Sequence, residues 1–213
     1  MKLCSCYLCL IILSILGLLS ACGTLKNGQE WGQDVTVSPG WKKVGTSTLD
    51  AVASPLVWLP CVTALSLKYR DFDGRISHYA SEHNPIFSSQ DNTANASNVL
   101  LGVAIASYTA SFLATPSGND KQDWLTNKLK GLSVDGVAIG GTCLITSSLK
   151  SETHRLRPDG SNYNSMPSGH ASGAAVCTRL ASLNLESMDI SDSTRWIADA
   201  SLYTVSLGTG GHG

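Results

Sequence analysis

Apolar and polar positions fall in blocks along this chain. An apolar run from Tyr7 to Leu19 gives way to a polar stretch, and five apolar segments follow: Ser47 to Tyr69, Asn98 to Ala114, Leu132 to Lys150, Ala171 to Leu185 and Thr194 to Leu207. Turn-forming clusters separate them, among them Asn84-Pro85, Pro116-Ser117-Gly118-Asn119, Asp159-Gly160-Ser161-Asn162 and Asp189 to Ser193. Such lengths suit helices better than strands. Trp196, Ala200, Tyr203 and Leu207 recur at helical spacing, as do Ala171, Ala174, Ala175, Thr178 and Ser182. Small residues on one face let two helices approach closely. The pattern predicts an all-α fold, a compact helical bundle, and it contains no fixed-period repeat of the kind a solenoid needs.

The first apolar run has a different use. Lys2 precedes it, it is short for a membrane span, and Leu19-Ser20-Ala21-Cys22 closes it with small residues before a cysteine. This is the layout of a secretory signal. It resembles a bacterial lipoprotein signal, which implies removal of residues 1–21 and acylation of Cys22. Two or more acyl chains are enough for stable anchoring. With Gly23 after the cysteine, the resemblance implies the periplasmic face of the outer membrane. Residues 22–46 are polar, aperiodic and punctuated by Trp31 and Trp41, and they read as a tether. Residues 47–213 read as the helical domain. Two of its segments approach spanning length, but Ser107, Thr109 and Ser111 interrupt one and Asp135 lies in the other. The expectation is a bundle held at the membrane by lipid.

Charge and cysteine content narrow the chemistry. The net charge is −1, and loss of the signal takes Lys2 with it, so no broad basic field exists to attract nucleic acid. An anion site must therefore be local. Of seven cysteines, Cys4, Cys6 and Cys9 lie in the signal and Cys22 is the lipid site, leaving Cys61, Cys143 and Cys177. An odd remainder on apolar segments reads as buried thiol. With neither a C-x-x-C pair nor an H-E-x-x-H helix, the sequence offers zinc no ligand set.

Local cations do occur. Lys150 and Arg157 are seven residues apart, nearly two helical turns, and Pro158 stops the helix and biases Arg157 toward extended geometry. Pro167-Ser168-Gly169-His170 then opens the fourth segment. Gly169 permits close approach of an anion, and the start of a helix presents N–H groups with a partial positive charge. His154, one turn beyond Lys150, is a candidate pocket residue as well as a cap.

These residues resemble two motifs of the type 2 phosphatidic acid phosphatase superfamily, which includes bacterial acid phosphatases and vanadium haloperoxidases. Lys150, Arg157 and Pro158 satisfy K-x6-R-P, and Pro167 to His170 satisfy P-S-G-H. The resemblance implies metal-independent hydrolysis of phosphomonoesters or lipid-linked phosphates with no cofactor. It implies that Lys150, Arg157, Ser168 and Gly169 bind phosphate and that His170 protonates the leaving alkoxide. The third motif, S-R-x5-H-x3-D, carries the histidine that becomes phosphorylated, and nothing here satisfies it: Ser206 precedes Leu207, and His212 lacks both the arginine and the aspartate. The expectation is a truncated member lacking its last helix or helices, with little activity. A non-catalytic anion-binding lipoprotein and a vanadate-dependent haloperoxidase are the alternatives.

Overall fold

A computed structural model describes residues 25–36, 38–54, 62, 75, 79, 90–118, 120–153 and 167–210. Among them are five long helices and no strand: α1 (Trp41–Ala53), α2 (Gln90–Ala114), α3 (Lys121–Thr153), α4 (Gly169–Ser187) and α5 (Asp192–Gly210). The protein is all-α, as the blocks of apolar sequence predict. Residues 36–90 form one compact unit and the rest of the chain another. In the smaller unit α1 starts at Trp41, inside the stretch expected as tether. Gly40 precedes it at φ 76°, and none of its residues is buried.

In the larger unit three helices, α3, α4 and α5, begin where a side chain satisfies one of their first N–H groups. Asp120 accepts from the Lys121 amide at 2.8 Å, and Asp123 adds negative charge to the first turn of α3. Ser168 caps α4, and Ser191 caps α5 by accepting from the Thr194 amide at 3.2 Å. The capped starts of α4 and α5 follow the polar breaks seen in sequence, whereas α2 and α3 begin eight and eleven residues before the apolar segments they contain. An apolar run marks the packed part of a helix, and its polar first turns lie outside that run.

The contacts of α2 with α4 recur at a nearly constant offset. His170 meets Asn98, a Cβ on Gly173 would lie 3.3 Å from Leu101, and Asn184 donates to Ser111 at 3.2 Å. Offsets of 72, 72 and 73 residues mean that α2 and α4 run parallel and side by side. Helix α3 runs against both. Its Lys128 meets the end of α2, and its Lys150 meets the start of α4. The core where they join is built of small side chains, Ala104, Ala174, Cys177 and Ala181, with Tyr108, Leu185, Met188 and Leu202.

A small interior leaves large side chains outside. Trp196, Tyr203 and Leu207 do recur at helical spacing, but Trp196 is 73% exposed and Tyr203 65%, and the buried face of α5 is the one with Leu202 and Thr209. Val137 and Leu144 of α3 are likewise exposed. Asn92–Ala114 and Lys121–Glu152 are each long and apolar enough to cross a membrane.

Residues 25–35 lie against this bundle. The Lys26 amide donates to Ser187 O at 3.2 Å and the Trp31 amide to Pro116 O at 2.7 Å. The Trp31 indole donates to Asn184 Oδ1 at 3.1 Å and meets Phe112 edge to face at 5.3 Å. Gly131 makes room for the ring, since a Cβ there would overlap it. Beneath the indole, Lys128 is 3% exposed and donates to Thr115 O at 2.8 Å, to Thr115 Oγ1 at 2.6 Å and to Phe112 O. Its ammonium closes the carbonyl end of α2, where a cation is favoured.

Candidate functional site

The start of α4 places three of the sequence-derived site residues in consecutive positions. Ser168 is the cap residue at φ −68°, ψ 126°, and its Oγ accepts from the Ala171 amide at 3.4 Å. That contact uses an oxygen lone pair and leaves the hydroxyl hydrogen to donate. The Ser168 carbonyl accepts from the Ser172 amide at 3.0 Å and from its hydroxyl at 2.9 Å, which fixes the first turn. Gly169 and His170 are the first two helical residues, positions whose amides have no partner within the helix itself. Both are exposed.

Lys150 reaches this turn from α3. A Cβ on Gly169 would lie 3.6 Å from Lys150 Nζ, so the end of one motif and the start of the other meet. Among the described residues the positive-φ glycines are Gly28, Gly32, Gly40 and Gly118, and Gly169 is not one of them. Its contribution is therefore space: with no side chain at Gly169, the Lys150 ammonium lies close to the start of α4. A cation and the positive end of a helix both favour an anion beside them.

His170 makes a contact that the motif does not foretell. Its Nε2 lies 2.9 Å from Oδ1 of Asn98 on α2. Asn98 is 72 residues away, and in sequence it marks only the polar edge of an apolar segment. No spacing rule points to it. It is placed by the parallel packing of α2 on α4.

Other expectations divide. Arg157, Pro158, His154, His212, Cys22 and Cys61 lie outside the described residues. Cys177 is a buried thiol whose pKa burial pushes up, whereas Cys143 is exposed rather than buried. Asp135 is buried and accepts from the Tyr108 hydroxyl at 2.8 Å. Burial holds its carboxyl above the usual carboxylate range, and the Tyr108 hydrogen bond pulls the other way. Burial and then the Asp135 hydrogen bond push the Tyr108 phenol well up. Among the described residues no three His, Cys, Asp or Glu side chains gather as a metal site would need.

Comparison with protein-family models, with curated proteins and with solved structures finds no match. A functional reading of this chain therefore stands on the two motifs and on the geometry around α4.

Proposed function

We propose that this chain carries the phosphate-binding part of a metal-independent phosphatase of the phosphatidic acid phosphatase type. It is held at the periplasmic face of a bacterial envelope, at the outer membrane, by lipid on Cys22, and it acts on phosphomonoesters or lipid-linked phosphates. One observation supports the reading above others: the Lys150 ammonium stands beside Gly169 at a capped helix start, with His170 next in the chain.

In this reading Lys150, the Ser168 hydroxyl and the amides of Gly169 and His170 take the non-bridging oxygens, and Arg157 adds a guanidinium. The His170 imidazolium gives its proton to the departing alkoxide. Hydrolysis through a phosphohistidine needs a second histidine oriented by an aspartate, and the S-R-x5-H-x3-D motif that would supply both is not in the sequence. Oxyanion binding by these 213 residues is expected to exceed their turnover. The contact of Lys150 with Gly169 serves equally a second reading, an envelope lipoprotein that binds an anion without transforming it.

Orthovanadate binding followed by vanadium NMR or calorimetry, beside turnover of an aryl phosphate, tests the proposal. Vanadate should bind the wild-type chain and bind Lys150→Ala about tenfold or more weakly, the loss of one charge-assisted contact. Absence of vanadate binding to a folded wild-type chain sinks the assignment. Fast turnover abolished by His170→Ala would keep the phosphatase reading and overturn the expectation of low activity.

A further inference from the structure

We propose that Asn98 is the positioning residue for His170, fixing which ring nitrogen delivers and recovers the proton; this rests on the phosphatase reading above. The side-chain oxygen of an asparagine has lone pairs and no hydrogen. A ring nitrogen 2.9 Å from Asn98 Oδ1 must therefore bear the hydrogen, and that nitrogen is Nε2. In the neutral imidazole Nδ1 then carries the lone pair. In the imidazolium Nδ1–H is the one N–H left over, because Nε2–H stays with Asn98. Proton delivery to the leaving alkoxide thus runs from Nδ1, and the same atom afterwards accepts a proton from water. Atoms balance: Nδ1–H breaks as the alcohol O–H forms, and Nδ1–H is remade as water loses its proton.

Packing makes this contact a fixed one. Asn98 precedes Leu101 by three residues as His170 precedes Gly173, and Leu101 lies against Gly173. One helical turn thus separates the hydrogen bond from a close contact that sets the height of α2 beside α4. Leu100, next to Leu101, lies against Gly208 of α5, where a Cβ would meet it at 2.8 Å, so α2 is gripped on two sides just beyond Asn98. Asn98 and His170 are both exposed. The bond is therefore open to an incoming anion, and its value lies in orientation rather than stability. Lys150 from α3 lies beside the same turn.

The experiment uses the full chain and two variants, Asn98→Leu and Asn98→Asp, each checked for fold by circular dichroism. Ring nitrogen NMR shifts report the tautomer of neutral His170, and vanadate titration with the ring protonated reports whether the imidazolium Nδ1–H still faces the anion. In wild type Nε2 should carry the hydrogen with an Nε2–H signal protected from exchange. Asn98→Leu should lose that protection, mix the tautomers and bind vanadate about fivefold more weakly, the worth of one hydrogen bond. Asn98→Asp keeps an acceptor at the same place and should restore the tautomer and the protection, while its added negative charge weakens vanadate binding. Predominant Nδ1–H in wild type would mean that the amide donates instead, and it overturns the inference. Unchanged tautomer and affinity in Asn98→Leu overturn it too, while vanadate binding that still depends on Lys150 leaves the phosphatase reading intact. No vanadate binding by wild type removes that reading and the role of Asn98 with it.

Discussion

Replacing Lys128 by methionine isolates the electrostatic cost of burying an ammonium in this fold. Lys128 is 3% exposed between Trp31 and Phe112, 5.0 and 4.8 Å from their ring centres, and its partners among the described residues are two carbonyls and a hydroxyl, with no carboxylate. Burial pushes its pKa from 10.5 down to about 8. Below that value the folded protein carries a charge that water would hold more favourably. Between the two values the unfolded chain binds more protons than the folded one, so stability must rise with pH through this window. The gain integrates to about 2.5 kcal/mol between about pH 7 and about pH 10. Methionine keeps most of the stem and has nothing to titrate there, although it leaves the Phe112 and Thr115 carbonyls without their donor. Urea unfolding of both proteins across this range, followed by circular dichroism, gives the difference between two curves from which other titrating groups cancel. Wild type should gain on Lys128→Met by that amount as the pH rises. Parallel curves would mean that Lys128 is hydrated in the folded state, and the account of its burial would fail.

Three further predictions concern neighbouring contacts. Gly131→Ala raises helix propensity by about 1 kcal/mol, yet its methyl would overlap the Trp31 ring, so chemical denaturation should show a net loss of about 1–3 kcal/mol; a gain would show that residues 25–35 are not docked there. Tyr108→Phe leaves the buried Asp135 carboxyl without its donor and should cost about 1–3 kcal/mol, whereas Asp135→Asn keeps an acceptor for the phenol. Because the folded pKa of Asp135 is raised, wild-type stability recovers as pH falls through it, so any advantage of Asp135→Asn at neutral pH should shrink in acid. Alkylation mapped by mass spectrometry should label exposed Cys143 well before buried Cys177, and equal rates would contradict the packing of α4.

The sequence made the helices legible and left their facing open. Periodicity places Trp196, Tyr203 and Leu207 on one stripe of α5, but a period does not say whether a stripe faces the core, and this one faces out. The small-residue stripe of α4 was informative because Ala174 and Thr178 can only be useful where another helix comes close, and both are buried. Trp31 looked like an isolated aromatic in a polar tether. What gives it a place is a partner set far along the chain, Phe112, Lys128, Gly131 and Asn184, which no local pattern connects. The site divides along the same line. Ser168, Gly169 and His170 are adjacent in sequence and share one helix start, so their grouping follows from local geometry, and Lys150 joins them because α3 is long enough to bring its last turn there. Asn98 depends on the register of two parallel helices and carries no local mark.

That register also separates stability from chemistry. Lys128 and Lys150 are both on α3, and 22 residues of helix put them about 33 Å apart along its axis. Lys128 closes the carbonyl end of α2, whereas Lys150 serves the amide end of α4, and a parallel pair of helices presents these two ends at opposite extremes of the bundle. The one cation is buried to fix a chain segment, and the other lies beside exposed Gly169. Groups so far apart with no shared partner should act independently. Combining Lys128→Met with Lys150→Ala should therefore change unfolding free energy by the sum of the single effects, within about 0.5 kcal/mol, and leave the vanadate affinity of the double variant equal to that of Lys150→Ala. A double-mutant cycle with larger coupling would show that the Trp31 segment and the start of α4 move together, so that the pocket is shaped by the same contacts that hold residues 25–35 in place.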